Sequence, residues 1–179
     1  MGDNRILVNT VSTAWSSNLA YAIGLIASDG NLRKDSTEIA FSSRDEEMVT
    51  RFRQSIGLQK SIVRTTPSGT SGRRGWALRF KSRQFYDFLL TIGITPKKSK
   101  TLGPLIIPSE YFADFLRGVF DGDVTFYTLW DKRWKNSFVF HIEIASASEK
   151  FLYWLQSCLN ELYCTRGYIK RGNGVSILR

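Results

Sequence analysis

Cysteine and histidine are nearly absent from this chain. Two cysteines, Cys158 and Cys164, and one histidine, His141, occur in 179 residues. Two cysteines make no disulfide framework, and a zinc site would need Cys and His clusters that are missing. A Ser-His-Asp or Cys-His hydrolase would have to rest on His141. That residue sits in the alternating stretch Phe138–Ile144 and reads as a strand residue facing solvent or a polyanion. Long apolar runs are missing too. None approaches the roughly 18–20 residues that span a bilayer, and Met1–Ser17 lacks the apolar core of a secretory signal. The expectation is an intracellular, non-secreted protein in a reducing compartment, with no membrane partner. Acidic residues are the scarcer charge, 16 against 25 Lys and Arg, for a net charge of +9. Such a balance points to nucleic acid.

What is present is a folding pattern. Hydrophobic residues make up 42% of the chain, enough for a packed core and too many for a disordered tail. Leu19, Ile23 and Ile26 recur at helical spacing over 18–27, with Ser17 or Asn18 as cap and Gly30 as stop. Strands follow near 31–33 and 38–42. A helix over 46–56 is capped by Asp45 and ended by Gly57. Strands at 61–66 and 76–80 bracket a Gly- and Ser-rich loop, and a helix covers 82–92. Residues 93–104, rich in Pro, Gly and Lys, read as a connection. The order then restarts: helix 109–120, strands 124–129 and 138–145, helix 148–162, strands 167–170 and 175–178.

This is an internal repeat of α-β-β-α-β-β-α. Ala22-Ile-Gly-Leu-Ile-Ala-Ser-Asp-Gly30 aligns with Leu116-Arg-Gly-Val-Phe-Asp-Gly-Asp-Val124. Ser42-Ser-Arg-Asp45 aligns with Ser146-Ala-Ser-Glu149, each closing a strand and opening a helix. The second copy reaches Arg179 before the third helix of the first finds an equivalent, so it is trimmed or shorter. The boundaries expected are a tail over 1–17, a first half over 18–96, a linker over 97–108 and a second half over 109–179.

Glycine inside a helix costs about 1 kcal/mol relative to alanine, so Gly24 and Gly118 need a reason. Small residues allow two helix backbones to approach closely, and both helices end in an acid, Asp29 and Asp123. Packed side by side in parallel, they would bring two carboxylates to one place. Carboxylates at helix C-termini oppose the macrodipole and repel each other. A divalent cation with oxygen ligands, Mg²⁺ above all, relieves both problems. Beside a basic surface, that suggests phosphodiester hydrolysis. The bland alternative is two ordinary helix ends followed by turns.

The two nine-residue segments resemble the paired motifs of single-chain LAGLIDADG homing endonucleases, and the resemblance covers Asn18 to Arg179. It implies an α+β fold of two pseudo-symmetric αββαββα halves whose antiparallel sheets form a DNA-binding saddle. It also implies a site-specific double-strand DNA endonuclease acting as a monomer on a long asymmetric target. Asp29 and Asp123 would hold Mg²⁺, with Ca²⁺ or Mn²⁺ able to substitute, and the Ser28 and Gly122 carbonyls would complete the coordination. Arg44 with Ser43, and Lys98 or Lys100, match the basic helpers that orient water or stabilise phosphate charge.

Alternation in the sheets nominates DNA contacts. In the first half these are Arg33, Lys34, Glu38, Arg64, Thr66, Arg73, Arg74, Arg79 and Lys81. In the second they are Tyr127, Trp130, Lys132, Arg133, Lys135, His141, Glu143, Lys170 and Arg171. Phosphate contact is the commoner fate of such residues than base readout. Val124 stands where the motif usually has Gly, which predicts a displaced Asp123 if the turn there needs a left-handed backbone. Ala147 stands where a basic residue would match Arg44. The alternatives are an RNA maturase or a non-catalytic DNA-binding protein of the same fold.

Overall fold

The computed structural model describes residues 10–66, 74–131, 133–134 and 136–179. The first half runs α1 (Ser17–Asp29), β1 (Gly30–Leu32), β2 (Glu38–Ser43), α2 (Glu46–Ser55), β3 (Val63–Arg64), β4 (Trp76–Lys81) and α3 (Arg83–Thr91). The second runs α4 (Phe112–Asp123), β5 (Val124–Trp130), β6 (Phe138–Ser146), α5 (Glu149–Tyr163), β7 (Ile169–Lys170) and β8 (Ser176–Leu178). Each half builds a four-stranded antiparallel sheet, in the orders β1-β2-β4-β3 and β5-β6-β8-β7. The repeat read from the sequence is therefore a repeat in space.

The caps explain the boundaries. Ser16, rather than Ser17 or Asn18, opens α1, its hydroxyl accepting from the Leu19 N–H at 3.2 Å. Asp45 caps α2 through the Glu47 N–H, and Ser82 caps α3 through the Phe85 N–H. Both halves repeat one turn at the strand-to-helix corner. The Asp45 N–H donates to Ser43 Oγ at 3.2 Å, and the Ser148 N–H to Ser146 Oγ at 3.1 Å. That fixes Ser43 opposite Ser146 and Arg44 opposite Ala147, one residue off the Ser42–Ser146 alignment.

The core is one continuous apolar cluster running from Val11 to Leu178 through both halves. Val11 is buried, and Trp15 packs edge-on to Phe88 at 5.6 Å and stacks on Tyr111. Residues 10–16, read as tail, thus tie α3 to the start of the second half. The linker is equally engaged. Leu102 and Leu105 are buried in it, and so is Lys98. Among the described residues no helix is long and apolar enough to cross a membrane.

Candidate metal and nucleic-acid site

The site begins with the crossing of α1 and α4. A Cβ on Gly24 would overlap the Phe115 carbonyl oxygen, and one on Gly118 would overlap that of Tyr21. The helices meet backbone to backbone there, which is why helix-weakening glycines are kept. Further along, a Cβ on Gly122 would strike the Ser28 hydroxyl, so the two helix ends abut as well. Tyr21 adds a cross-link. Its hydroxyl donates to Asp121 at 2.8 Å, and the Arg117 guanidinium lies over its ring at 4.6 Å. Burial, then the bond to Asp121, pushes the Tyr21 phenol up to about 12, so it stays a donor at neutral pH.

Asp29 and Asp123 stand at the ends of these helices. Both reach solvent, yet the abutting helix ends and sheet rims strip away part of their water. That loss, followed by repulsion from Asp123, pushes the Asp29 carboxyl up to about 6, against a downward pull from Lys98. Asp123 is raised for the same first reason, with Lys98 again opposing. Lys98 supplies the nearby positive charge. Its ammonium donates to the Ala27 carbonyl at 2.7 Å and the Ser28 carbonyl at 2.8 Å, closing the C-terminus of α1. Burial pulls it down to about 8, although the acids favour its charged form. Lys100, two residues on, is exposed.

Each acid opens into its own hollow. Asp29 lines one of 550 Å³ with Ser42, Arg44, Thr65, Trp76 and Arg79. Asp123 lines one of 290 Å³ with Ser28, Lys98, Ser146 and Ala147. The cations in both hollows come from the first half and its linker, because Ala147 takes the place of Arg44. The donor set is two carboxylates and main-chain carbonyls, all oxygen, which fits a hard cation such as Mg²⁺ or Mn²⁺. Among the described residues no group of three or more His, Cys, Asp and Glu is placed to hold a metal. A cation here would therefore rely on carbonyl, water and phosphate oxygens beyond the acid pair. Of the two carbonyls expected to help, that of Ser28 accepts from Lys98.

The expectation of a strained turn at Val124 is overturned. Val124 has φ −98° and ψ 139°, and Gly30 has φ −75° and ψ 155°; both are extended. The helices run straight into strands, with Gly30 opposite Phe41 and Val124 opposite Ile144. Gly30 is small because a Cβ would lie 2.6 Å from Ile26 Cα, not because the backbone turns left-handed. Val124 carries α4 into β5 as Gly30 carries α1 into β1.

The DNA-contact candidates divide. Arg79 pairs with Ala40 and Lys81 with Glu38, on the face opposite the buried Ile39 and Phe41. Tyr127 stacks on His141 at 5.0 Å, on the same face of the second sheet as Glu143. Lys170 pairs with Ile177 on that face. Arg33 and Lys34 lie in and beside the β1–β2 turn, with Arg33 3.4 Å from Glu38, and Arg74 is exposed just before β4. Arg64 pairs with Trp76, and its guanidinium lies 5.0 Å over that ring. Arg171 meets Glu149 at 3.2 Å and the Tyr153 hydroxyl at 3.3 Å on α5. Arg133 is chelated by Asp131, at 3.0 and 2.8 Å. Arg73, Lys132 and Lys135 lie outside the described residues. Arg179 escaped the sequence reading. It donates to Glu143 and to the Tyr127 hydroxyl, placing a guanidinium among the second sheet's open-face residues. Its alternation with Ile177 was the available signal.

The fold and the twinned helix ends define a class: this chain has the LAGLIDADG fold. Solved structures bear that out. I-DmoI in complex with DNA and Mn superposes with a TM-score of 0.55 at 17% identity, covering 90% of this chain and 88% of the other. I-WcaI bound to its DNA recognition sequence gives 0.59 at 14%, covering 99% and 83%. Full-length WhiA from Thermatoga maritima gives 0.57 at 16%, with 96% of this chain covered. The chain spans only 52% of that WhiA, but 77% of its isolated N-terminal LAGLIDADG domain. No family model matches the sequence, and no curated protein does.

Proposed function

We propose that this chain is a metal-dependent, site-specific DNA endonuclease of the homing type. The observation that supports it most is the twinning of Asp29 and Asp123 at two abutting helix ends, beside hollows lined by Arg44, Arg79 and Lys98. Chance surface acids have no cause to be matched across a repeat, desolvated and served by a buried lysine. A divalent cation bound there would polarise the scissile phosphate and acidify an attacking water. Asp29 and Asp123 would hold that cation through their carboxylate oxygens. Lys98 keeps an N–H for phosphate charge while its other bonds lock it to α1. Arg44 and Arg79 anchor the phosphate backbone beside Asp29. The open faces of the two sheets would follow the major groove. Unlike halves then imply an asymmetric target about two helical turns long.

A second reading, binding without cleavage, is favoured by one observation. Lys98 already supplies a positive charge to the acid pair and occupies the Ser28 carbonyl. One experiment separates the two. Duplexes are enriched from a random pool in Ca²⁺, then exposed to Mg²⁺ with the intact protein and with Asp29→Asn. Cleavage of both strands by the intact protein alone supports the endonuclease. A recovered site that is never cut supports the binder, and no enrichment removes the DNA reading.

A further inference from the structure

At the crossing of α1 and α4 the two backbones touch, and bare backbones can slide. Ridges of side chains normally fix how one helix sits along another, and Gly24 and Gly118 present none at the point of contact. Each acid lies five residues beyond its glycine, so a small slide or rotation at the crossing changes the spacing of Asp29 and Asp123. A side-chain bond spans the seam beside this crossing. The Tyr21 hydroxyl donates to Asp121 at 2.8 Å. Tyr21 stands three residues before Gly24 and Asp121 three residues after Gly118, so the bond runs diagonally from α1 to α4 and opposes sliding. The phenol is itself held in place. Its ring is buried, and the Arg117 guanidinium lies 4.6 Å over it while meeting Asp114 at 3.5 Å. The repeat cannot supply a second such tie. Phe115 and Ala27 stand at the matched positions, with no hydroxyl and no carboxylate. There the Lys98 ammonium holds the Ala27 carbonyl instead. The two flanks of the seam are thus fastened differently, one from the linker and one by Tyr21.

We propose that Tyr21 is a positioning residue, whose bond to Asp121 fixes α4 along α1 and thereby sets the spacing of Asp29 and Asp123 for a divalent cation. This rests on the reading of the acid pair as a cation site. Tyr21 is buried in the seam and lines neither acid hollow, so it acts through the helix that carries Asp123. Small hard cations take oxygen ligands at narrowly set distances, about 2.0–2.1 Å for Mg²⁺. A carboxylate displaced by a fraction of an ångström therefore binds more weakly. Removing groups that orient metal ligands typically lowers affinity by about ten- to a hundredfold.

The test is Mn²⁺ binding to the full chain with a recovered duplex, read by electron paramagnetic resonance. Thermal melting and duplex affinity without divalent cation are measured beside it. Tyr21→Phe removes only the hydroxyl. It should weaken Mn²⁺ binding at least about tenfold and leave duplex affinity unchanged. Asp121→Asn keeps an acceptor for the hydroxyl and should stay within about twofold of the intact protein. Asp121→Ala should match Tyr21→Phe, and the two combined should lose no more than either alone. Ile39→Val, in the core of the first sheet, is the control for lost stability. It should lower Tm and leave Mn²⁺ binding unchanged. Binding lost in Asp29→Asn but kept in Tyr21→Phe overturns the proposal alone. So does a loss that Ile39→Val shares, which would trace it to stability. No binding by the intact complex overturns the cation reading and the proposal with it.

Discussion

The two halves share a topology and part in everything laid over it. The first is sealed by α3, and its cations Arg44, Arg79 and Lys98 gather at the acid pair. The second pairs Arg133 with Asp131, Arg171 with Glu149 and Arg179 with Glu143, as the first pairs Arg33 with Glu38, Arg51 with Glu47 and Arg83 with Asp87, but among the described residues no cation of the second half lines either hollow. The elements at the shared seam are kept alike, the glycines, the acids and the strands that leave them, and so is the serine turn at each strand-to-helix corner. On the proposed reading, cleavage of both DNA strands would need two acids, which would make symmetry at the seam a chemical need. Elsewhere each half is free to meet a different surface.

The comparison is broken most severely at the acids. Asp29→Asn and Asp123→Asn should each lower cleavage by at least about a thousandfold while sparing DNA affinity. Equal loss from both would show that the unequal halves feed one centre. Next come the seam glycines. Gly24→Ala and Gly118→Ala should each destabilise the chain by about 1–3 kcal/mol, because overlap with a facing carbonyl outweighs the helix-propensity gain. Denaturant midpoints measure this, and unchanged values would mean that the helices are not in backbone contact.

Titration sharpens the picture further. Asp29 is raised above its usual value, to about 6, so the folded state holds a proton there that the unfolded state has lost. Its contribution to stability is therefore present below the unfolded value and fades as pH rises towards 6. Cation binding has the opposite sign, because it needs the carboxylate. Affinity for Ca²⁺ should rise as pH climbs through about 6, by about tenfold per unit at most below it. Lys98→Met should move that rise to higher pH, since Lys98 pulls Asp29 down.

The smaller effects test the surface. Arg79→Ala should reduce the salt slope of DNA binding by about one, whereas Arg171→Ala, committed to α5, should leave it unchanged. Val124→Gly should not improve cleavage, because Val124 is extended, and should cost roughly 0.5–1 kcal/mol of stability.

Much of this was legible in the sequence, for identifiable reasons. Helical spacing located α1, α2 and α3 within a few residues, and the two nine-residue motifs paired Gly24 with Gly118 and Asp29 with Asp123. Lys98 could be nominated, but its burial against Ala27 and Ser28 could not, because a lysine in a Pro- and Gly-rich stretch looks solvated. Val124 misled because glycine's rarity of conformation was assumed where its small size was the cause. Alternation nominated Arg64 and Arg171 without showing their contacts with Trp76 and with Glu149, because it gives two faces without saying which is which until register is known. The exposure of Phe138, Phe140 and Ile142 could not be read from their alternation, which is that of any half-buried strand.

The central claim is that the ends of α1 and α4 form one cation site. Its most direct test is Mn²⁺ binding, followed by electron paramagnetic resonance on the intact protein, Asp29→Asn and Asp123→Asn with a recovered duplex at pH 7.5. The account predicts saturable binding to the intact complex, weakened at least about tenfold by either substitution. Binding that is the same in all three proteins would contradict it.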